Sequence, residues 1–305
     1  MSLLDALLRQ GALRPVDHAL AQSLRRLGRD HAAGDDRSVE DRSLEDRATD
    51  DRVLVAAALA SSAIAQGHAG LDLSRPHLVC DANVEWPDAA QWRDALQASR
   101  WVATPSSDDA SRQAPLVLEE NLLYLRRYRE YERRLALHLR RIAACAPADR
   151  DVSVIAPLFA QLFPAANEAD RQARAAALAL LRSLLLVTGG PGTGKTTTIT
   201  RVLLLLIAQA ALEGRPAPRI ALAAPTGRAA ERMAESLRSA IARLREVEGV
   251  DASWCDALPA SASTLHRLLG TIPDSPRFRH DVEHPLPFDA IVVDEASMVD
   301  LPLMC

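Results

Sequence analysis

Lysine is almost absent from this chain. Of its 36 basic residues only Lys195 is a lysine, and it lies in the segment Gly189-Gly190-Pro191-Gly192-Thr193-Gly194-Lys195-Thr196. Every other basic position carries arginine, whose planar guanidinium is bulkier than the compact ammonium of lysine. The exception indicates that the local structure around position 195 requires the smaller cation.

The chain is also poor in cysteine and in long apolar runs. Its four cysteines lie far apart without a C-x-x-C pair, which argues against a disulfide framework or zinc knuckle and favours a reducing cytosol. The apolar run at 202–208 is far shorter than the roughly 20 residues of a membrane span. Asp5 and Arg9 interrupt the apolar pattern of the N-terminus, which is unlike a signal peptide. We therefore expect a cytoplasmic protein with no membrane partner.

Neither sign of charge dominates the chain. Its 36 basic and 40 acidic residues give a net charge of -4, so no overall basic field indicates nucleic acid by itself. A length of 305 residues with 48% hydrophobic residues is enough for about two domains. We expect a mostly helical N-terminal domain over 1–150 and a second domain over 151–305.

The first half of the N-terminal domain has helical patterns around a repeat. Apolar residues at three- and four-residue spacing predict helix over 1–34 and again over 53–66. Between them, a pentapeptide repeat of the form Asp-Arg-Ser-Leu-Glu occupies 36–52. A period of five fits neither helix nor strand, so we interpret 35–52 as a solvated low-complexity insertion.

The second half combines tryptophans, a hairpin and an arginine-rich helix. Trp86, Trp92 and Trp101 fall in a predicted helical block, where core and interface anchoring is favoured over base stacking. Residues 116–125 predict a hairpin that turns at Glu120-Asn121. In the helix that follows, an apolar stripe lies largely apart from seven arginines. These arginines could contact a nucleic-acid backbone, although a solvated face or a partner-subunit surface is favoured.

From about residue 168 the pattern alternates between helices and short buried strands. It predicts a helix that begins at Asn167 or Asp170 and ends at Leu181, further helices over 196–212 and 226–244, and strands over 184–188, 220–224 and 290–293. Such alternation is typical of an α/β fold with a parallel sheet.

The lysine segment fits the pattern G-x-x-x-x-G-K-[ST] between a predicted strand and a predicted helix, which is the context that this motif requires. Its glycines let backbone N–H groups surround phosphates, Lys195 reaches the β- and γ-phosphates of ATP, and Thr196 can ligate Mg²⁺. The expected nucleotide-binding residues are Gly189, Gly190, Pro191, Gly192, Thr193, Gly194, Lys195, Thr196 and Thr197.

A second strong signal is the apolar strand Ile291-Val292-Val293, which is followed by Asp294 and Glu295. Open α/β sheets bind ligands at the carboxyl ends of their strands. We expect Asp294 to hold Mg²⁺ together with Thr196, and Glu295 to orient or deprotonate an attacking water. Lys195, Asp294 and Glu295 are the predicted catalytic residues.

Two further segments carry polar residues at predicted element boundaries. Thr226 follows Pro225 and precedes Arg228 where a strand gives way to a helix, so a strand phosphate could bind there. Thr264-Leu265-His266-Arg267 offers a hydroxyl, an imidazole and a guanidinium. From the residues alone, Thr226 is equally well a helix cap and His266 a packed histidine.

Taken in order, Gly-Gly-Pro-Gly-Thr-Gly-Lys-Thr-Thr-Thr, Ala-Pro-Thr-Gly-Arg-Ala-Ala, Ser-Thr-Leu-His-Arg-Leu-Leu-Gly and Val-Val-Asp-Glu-Ala-Ser-Met-Val-Asp resemble superfamily 1 helicases of the RecD type. The resemblance is dense over 168–305 and looser before it. It implies a RecA-like P-loop NTPase domain behind an N-terminal domain that contacts a partner. RecD proteins are subunits of the bacterial RecBCD complex, exodeoxyribonuclease V.

The resemblance implies an ATP-driven motor that moves 5′ to 3′ on single-stranded DNA from duplex ends. Its partners would be RecB- and RecC-like subunits in a heterotrimer for recombinational repair, with the nuclease activity elsewhere in the complex. By position, Gln172 resembles the adenine-reading glutamine of the family. Pro225, Thr226 and Arg228 resemble its first DNA-contacting motif, and His266 the segment that couples DNA to the nucleotide site.

The chain departs from the family at Cys305, before the γ-phosphate-sensing glutamine, the arginine finger and the second motor domain. We therefore expect a truncated motor domain that binds nucleotide weakly and does not unwind DNA. One alternative is a non-catalytic, ATP-holding module that binds a partner. A P-loop kinase is a further alternative, against which the paired carboxylates and the Thr-Leu-His-Arg segment argue.

Overall fold

The computed structural model describes residues 2–33, 50–105, 114–145, 151–164, 170–190, 192–275 and 277–305. Most of the predicted insertion, Asn167 and Pro191 lie outside the described residues. The chain divides into two compact units, Met1–Leu135 and Ala136–Met304. Residues 146–150 are also outside the described residues, so the domain boundary placed near residue 150 stays a prediction.

The first unit contains helices and a small sheet. The helical pattern over 1–34 forms two helices, because Gly11 takes a left-handed conformation (φ 66°) between them and a proline starts the second. The elements are α1 (Leu3–Arg9), α2 (Pro15–Ala33), α3 (Asp51–Ala65), β1 (Leu71–Asp72), α4 (Ala89–Gln97), β2 (Val102–Ala103), β3 (Leu116–Glu119), β4 (Leu122–Leu125) and the start of α5 (Arg126–Ala144).

Helix α3 is central to the core of this unit, because residues 53–60 are all buried and a helix that is apolar on every side avoids water. Trp92 from α4 is fully buried, and its indole N–H donates a 2.9 Å hydrogen bond to the Arg52 carbonyl. The Trp86 ring stacks 6.3 Å from it, and Trp101 packs against the same core. The anchoring role is confirmed, but the single helical block is wrong, since only Trp92 lies in a helix.

The predicted hairpin is confirmed. Strands β3 and β4 pair antiparallel with Leu118 opposite Leu123, and Glu120 in the turn is left-handed (φ 53°). The sheet order is β1-β4-β3-β2, with β2 parallel to β3. The two-residue strands β1 and β2 are too short to show an alternating apolar pattern in the sequence, and they form because they pair with β4 and β3.

The second unit has the alternating α/β order that the sequence predicts. After the end of α5 come α6 (Ala156–Leu162), α7 (Arg171–Leu181), α8 (Lys195–Leu212), β5 (Ile220–Ala224), α9 (Gly227–Leu244), α10 (Ala252–Asp256), β6 (Ser263–Thr264), α11 (Leu265–Leu269), β7 (Ala290–Val293) and α12 (Leu301–Met304). The sheet has the order β6-β5-β7, and all its strands are parallel.

Helix α8 lies in the core of this unit. Its buried side chains include Leu203, Leu204 and Ile207, and α7 and α9 pack against it. By length and composition alone, it is the one helix in the described part of the chain that could cross a membrane. Half of that stretch is buried inside the fold.

The predicted strand over 184–188 is wrong. These residues make no backbone–backbone hydrogen bond to another described residue, and Leu186 is 77% exposed. An apolar run becomes a strand only where a neighbouring strand offers hydrogen-bond partners for its backbone N–H and C=O groups. The described strands β5, β6 and β7 pair with one another and with no part of 184–188.

Candidate nucleotide and nucleic-acid site

The phosphate-binding motif forms a tight loop that ends where helix α8 begins. Gly192 and Gly194 have φ angles of 75° and 78°, a left-handed conformation that glycine adopts at little cost. The Lys195 ammonium donates hydrogen bonds to the carbonyls of Gly189 (2.6 Å) and Gly190 (2.9 Å). The Thr193 hydroxyl donates to the Gly190 carbonyl at 2.9 Å. Lysine and threonine thus tie the beginning of the loop to its end.

The close approach inside the loop explains its glycine at position 189. A Cβ atom there would lie 2.8 Å from the Thr193 hydroxyl oxygen, closer than packed atoms tolerate. Position 192 meets nothing within 4 Å and needs glycine for its φ angle alone. Pro191 is outside the described residues, so its predicted contact is not placed.

Gln172 contacts the loop from helix α7. Its amide nitrogen Nε2 donates to the Thr193 carbonyl at 3.0 Å, and a Cβ atom on Gly194 would lie 2.5 Å from the same nitrogen. Asp170 caps the helix by accepting from the backbone N–H groups of Gln172 (2.9 Å) and Ala173 (3.1 Å). Sequence reasoning associated Gln172 with adenine and missed this contact, because no local signal links residues 172 and 193.

The parallel sheet brings the remaining predicted site residues to one edge. Ala224 at the end of β5 pairs with Thr264 at the end of β6, and Ala223 pairs with Val293 at the end of β7. Beyond the last strand pair, the Asp294 N–H donates to the Ala223 carbonyl at 2.9 Å. Because parallel strands end at the same edge, the segments beginning at 225, 265 and 294 all leave the sheet there.

The predicted carboxylate pair has a constrained backbone. The Asp294 oxygen Oδ1 accepts from the Glu295 N–H at 2.9 Å, and Glu295 is left-handed at φ 49° and ψ 41°. This conformation costs a residue with a side chain about 1 to 3 kcal/mol and recurs at functional sites. The Glu295 side chain is exposed and that of Asp294 half-buried.

Two threonines cap the helices that leave neighbouring strands. The Thr226 hydroxyl accepts from the Ala229 N–H at 3.2 Å at the start of α9, and the Thr264 hydroxyl accepts from the Arg267 N–H at 3.2 Å at the start of α11. Each hydroxyl keeps its own proton for donation to a ligand. Capping of Thr226 and packing of His266, whose ring meets Phe278 edge-on at 5.9 Å, are therefore both observed.

The site residues thus form two groups within the second unit. One is the loop with Gln172, and the other is the sheet edge with Thr226, His266, Asp294 and Glu295. No hydrogen bond between described residues joins Lys195 or Thr196 to Asp294 or Glu295. The assignment of catalytic, metal-binding and DNA-binding roles to these residues remains a prediction.

Two family models match this chain. Residues 9–124 match the family described as the RecBCD enzyme subunit RecD, N-terminal domain, and residues 172–305 match an AAA domain. The chain is 44% identical over 225 residues to the RecBCD enzyme subunit RecD of Mycobacterium tuberculosis (strain H37Rv). It is 36% identical over 201 residues to that of Haemophilus influenzae. It is also 40% identical over 121 residues to the ATP-dependent RecD2 DNA helicase of Deinococcus radiodurans.

These alignments cover 73%, 65% and 40% of this chain, but 35%, 31% and 13% of the respective relatives. The chain therefore spans about a third of the length of the RecD relatives that it matches.

Proposed function

Because residues 9–124 match the RecD N-terminal domain and residues 172–305 match an AAA domain, we propose that the chain belongs to the RecD family and contributes to an ATP-dependent 5′–3′ DNA helicase. Its second unit acts as the first motor domain, and its first unit docks a partner. The complex would contain RecB- and RecC-like subunits and act in the cytoplasm on the ends of broken duplex DNA in recombinational repair. The names of the relatives above support a RecBCD subunit and an ATP-dependent DNA helicase.

The loop around Lys195 is the single observation that carries the proposal. Its left-handed glycines, the close packing at Gly189 and the N-terminus of an 18-residue helix form the donor-rich concavity that phosphates favour. The residues present therefore fit ATP with Mg²⁺. When bound, ATP supplies the phosphoanhydride bond whose hydrolysis drives translocation.

The side chains have distinct roles in this proposal. Lys195 would exchange the carbonyls of Gly189 and Gly190 for phosphate oxygens, and Thr196 and Asp294 would hold the metal. Glu295, whose carboxylate is exposed beyond the end of the strand, would orient the attacking water and could accept its proton. The left-handed backbone at Glu295, held by the Asp294 side chain, sets the direction in which that carboxylate leaves the strand.

The capped helix ends at the sheet edge suit a DNA backbone. Thr226 and Arg228 lie at the N-terminus of α9, where backbone donors and the helix dipole attract a phosphate. His266 lies in the first turn of the neighbouring helix α11. A strand bound along this edge contacts the segments that follow β5 and β6, next to the segment that carries Asp294.

Binding of a fluorescent ATP analogue with Mg²⁺ tests the proposal. We expect both Lys195→Ala and Lys195→Arg to weaken binding at least about tenfold, because only a compact ammonium reaches between the loop and the phosphates. The exposed Arg9 of the other unit provides the control Arg9→Ala. Unchanged affinity of Lys195→Ala would refute the nucleotide site.

A further inference from the structure

Helix α5 is the most strongly basic element of the described chain. Its 19 residues contain seven arginines and two carboxylates, Glu130 and Glu132. It lies between the two matched domains, which cover 9–124 and 172–305. Both matched domains leave this helix out, and none of the predicted site residues lies on it.

Three arginines in the first half of the helix have partners inside the protein. Arg126 donates to the Ala114 carbonyl, Arg127 to the Tyr131 hydroxyl at 2.7 Å, and Arg129 to Glu119 at 3.2 Å. Arg129 is buried, so its guanidinium group stabilises the first unit through Glu119 and does not form part of the surface. These contacts account for the first two turns of the helix.

The other four arginines have no such partners. Arg133, Arg134, Arg140 and Arg141 are exposed and make no hydrogen bond, ion pair or ring contact with another described residue. The carboxylate nearest to them in sequence on that side of the helix, Glu130, lies 4.0 Å from Arg129. On the helix itself, Glu130 is the one carboxylate on this side, and it makes no ion pair with the four arginines, so their guanidinium groups leave a net positive field among the described residues.

The helical period places these four residues together. Residues seven apart differ by only about 20° around an α-helix and by about 10.5 Å along it. Arg133 and Arg140 therefore form one row, and Arg134 and Arg141 a second row about 100° away. We call this surface the arginine face; Leu137, which is 54% exposed, lies between the rows. Tyr128 lies on the opposite side, whereas Tyr131, three residues before Arg134, lies beside the second row, where its hydroxyl accepts a hydrogen bond from Arg127.

We propose that the arginine face binds the phosphate backbone of a nucleic-acid strand. Phosphates recur along a strand, as the paired arginines recur along the helix, and a guanidinium fork matches two phosphate oxygens. The aromatic ring beside the face, that of Tyr131, is already covered by the Arg127 guanidinium, so the face reads backbone charge and not sequence. Clustered arginines along one helix are the usual electrostatic footprint of such binding.

This contact is separate from the proposed motor site. It involves neither the loop around Lys195 nor the capped helices at the sheet edge, and it needs no nucleotide. It rests on the proposed function only in taking DNA as the natural strand. Binding to DNA and binding to nucleotide can therefore be measured independently, and either can fail without the other.

The salt dependence of DNA binding tests the inference. Fluorescence anisotropy of a labelled oligothymidylate, without nucleotide, is followed over a series of potassium chloride concentrations. Each phosphate contact contributes about 0.7 to the slope of log affinity against log salt for a single strand. The double variant Arg140→Gln/Arg141→Gln loses two such contacts, so the magnitude of its slope should fall by about 1.4. The double variant Arg140→Lys/Arg141→Lys keeps both charges and should have the slope of the parent chain.

The matched control is Arg9→Gln/Arg26→Gln, which removes two exposed arginines from other helices. It changes net charge equally and should leave the slope unchanged. Glutamine is a good helix former, and far-UV circular dichroism checks that α5 remains folded. Absence of oligothymidylate binding by the parent chain would overturn the inference, as would equal slopes in the two glutamine variants.

Labelled polyglutamate distinguishes an acidic protein surface from a nucleic acid. If Arg140→Gln/Arg141→Gln weakens polyglutamate binding and leaves DNA binding intact, the arginine face docks protein and the proposal is wrong. Lys195→Ala in the same assay should leave the DNA slope unchanged. A loss of nucleotide binding alone would then concern the motor site and not the arginine face.

Discussion

The side-chain amide of Gln172 donates a 3.0 Å hydrogen bond to the backbone carbonyl of Thr193. It thereby connects the first turn of helix α7, which Asp170 caps, to the loop that is expected to bind phosphates. Gln172 also lies against Gly194, where the loop enters helix α8. A residue expected to read adenine is thus placed to hold the shape of the phosphate loop.

Gln172→Glu should show which of these roles matters. A carboxylate has no N–H to donate to the Thr193 carbonyl, and a lost hydrogen bond of this kind costs about 1 kcal/mol, or roughly fivefold in affinity. If Gln172 acts through the loop, analogues of ATP and GTP should weaken equally in a fluorescence titration. A selective loss for ATP would instead favour adenine reading. Gln91→Glu on the exposed surface of α4 is the control.

Gly194→Ala and Gly214→Ala separate backbone strain from contact. Both glycines are left-handed, at φ 78° and 66°, but only position 194 has a neighbour, the Gln172 nitrogen at 2.5 Å. Alanine pays about 1 to 2 kcal/mol for this conformation, so both variants should lower the free energy of unfolding in a denaturant titration. Gly194→Ala alone should also weaken nucleotide binding, since Gln172 must move away from Thr193. Adding Gln172→Ala should then cause little further loss; fully additive losses would show that the two residues are uncoupled.

Asp17 should make the first unit sensitive to acid. Burial acts to raise the pKa of Asp17, but hydrogen bonds from Arg14 and Ser61 and the charge of Arg14 outweigh it, so the pKa lies below its ordinary value. Stability from Asp17 is therefore present above the unfolded pKa near 3.9 and is lost as pH falls through the folded pKa.

Asp17→Asn should lower the free energy of unfolding by about 1 to 3 kcal/mol at neutral pH. It should also flatten the dependence of stability on pH below about 4. Urea titrations across pH provide the measurement, with exposed Asp94→Asn as the control. An unchanged acid limb in Asp17→Asn would contradict the assignment.

Thr226 offers a test of capping against DNA contact. Thr226→Val removes the oxygen that accepts from Ala229 and should destabilise the protein by about 1 kcal/mol. Thr226→Ser keeps both the cap and the hydroxyl proton, and should retain stability and DNA affinity. Thr264→Val removes the equivalent cap on α11. If both valine variants lose stability while DNA affinity stays unchanged in anisotropy titrations, Thr226 is a cap and nothing more.

Local signals in the sequence were strong where an element can be specified by its own residues. Strands over 220–224 and 290–293 have the predicted bounds, because short apolar runs between polar residues bury well in a parallel sheet. The helices after the lysine loop and after Thr226 begin within a residue of their predicted starts. Asp170 caps α7 and Thr226 caps α9, as expected for residue types that favour the N-cap position.

The failed predictions concern features that depend on remote partners. Residues 184–188 have the same apolar character as β5 and β7 but pair with no described strand. Trp86 and Trp101 pack against the core of the first unit from outside any helix, and the Trp86 ring stacks on Trp92. Composition alone cannot distinguish an apolar run that pairs from one that does not.

The sequence by itself determined the phosphate loop, the strand that carries Asp294 and Glu295, and the alternating fold around them. These depend on residue types at fixed short spacings, which act through local sterics and hydrogen bonds. Only the tertiary structure decided that Gln172 meets Thr193 and that the β5 register brings Thr264 and Asp294 to one edge. It also decided that four arginines of α5 have no ion-pair partner among the described residues. Such contacts join residues far apart in the chain, so packing decides them and local propensity does not.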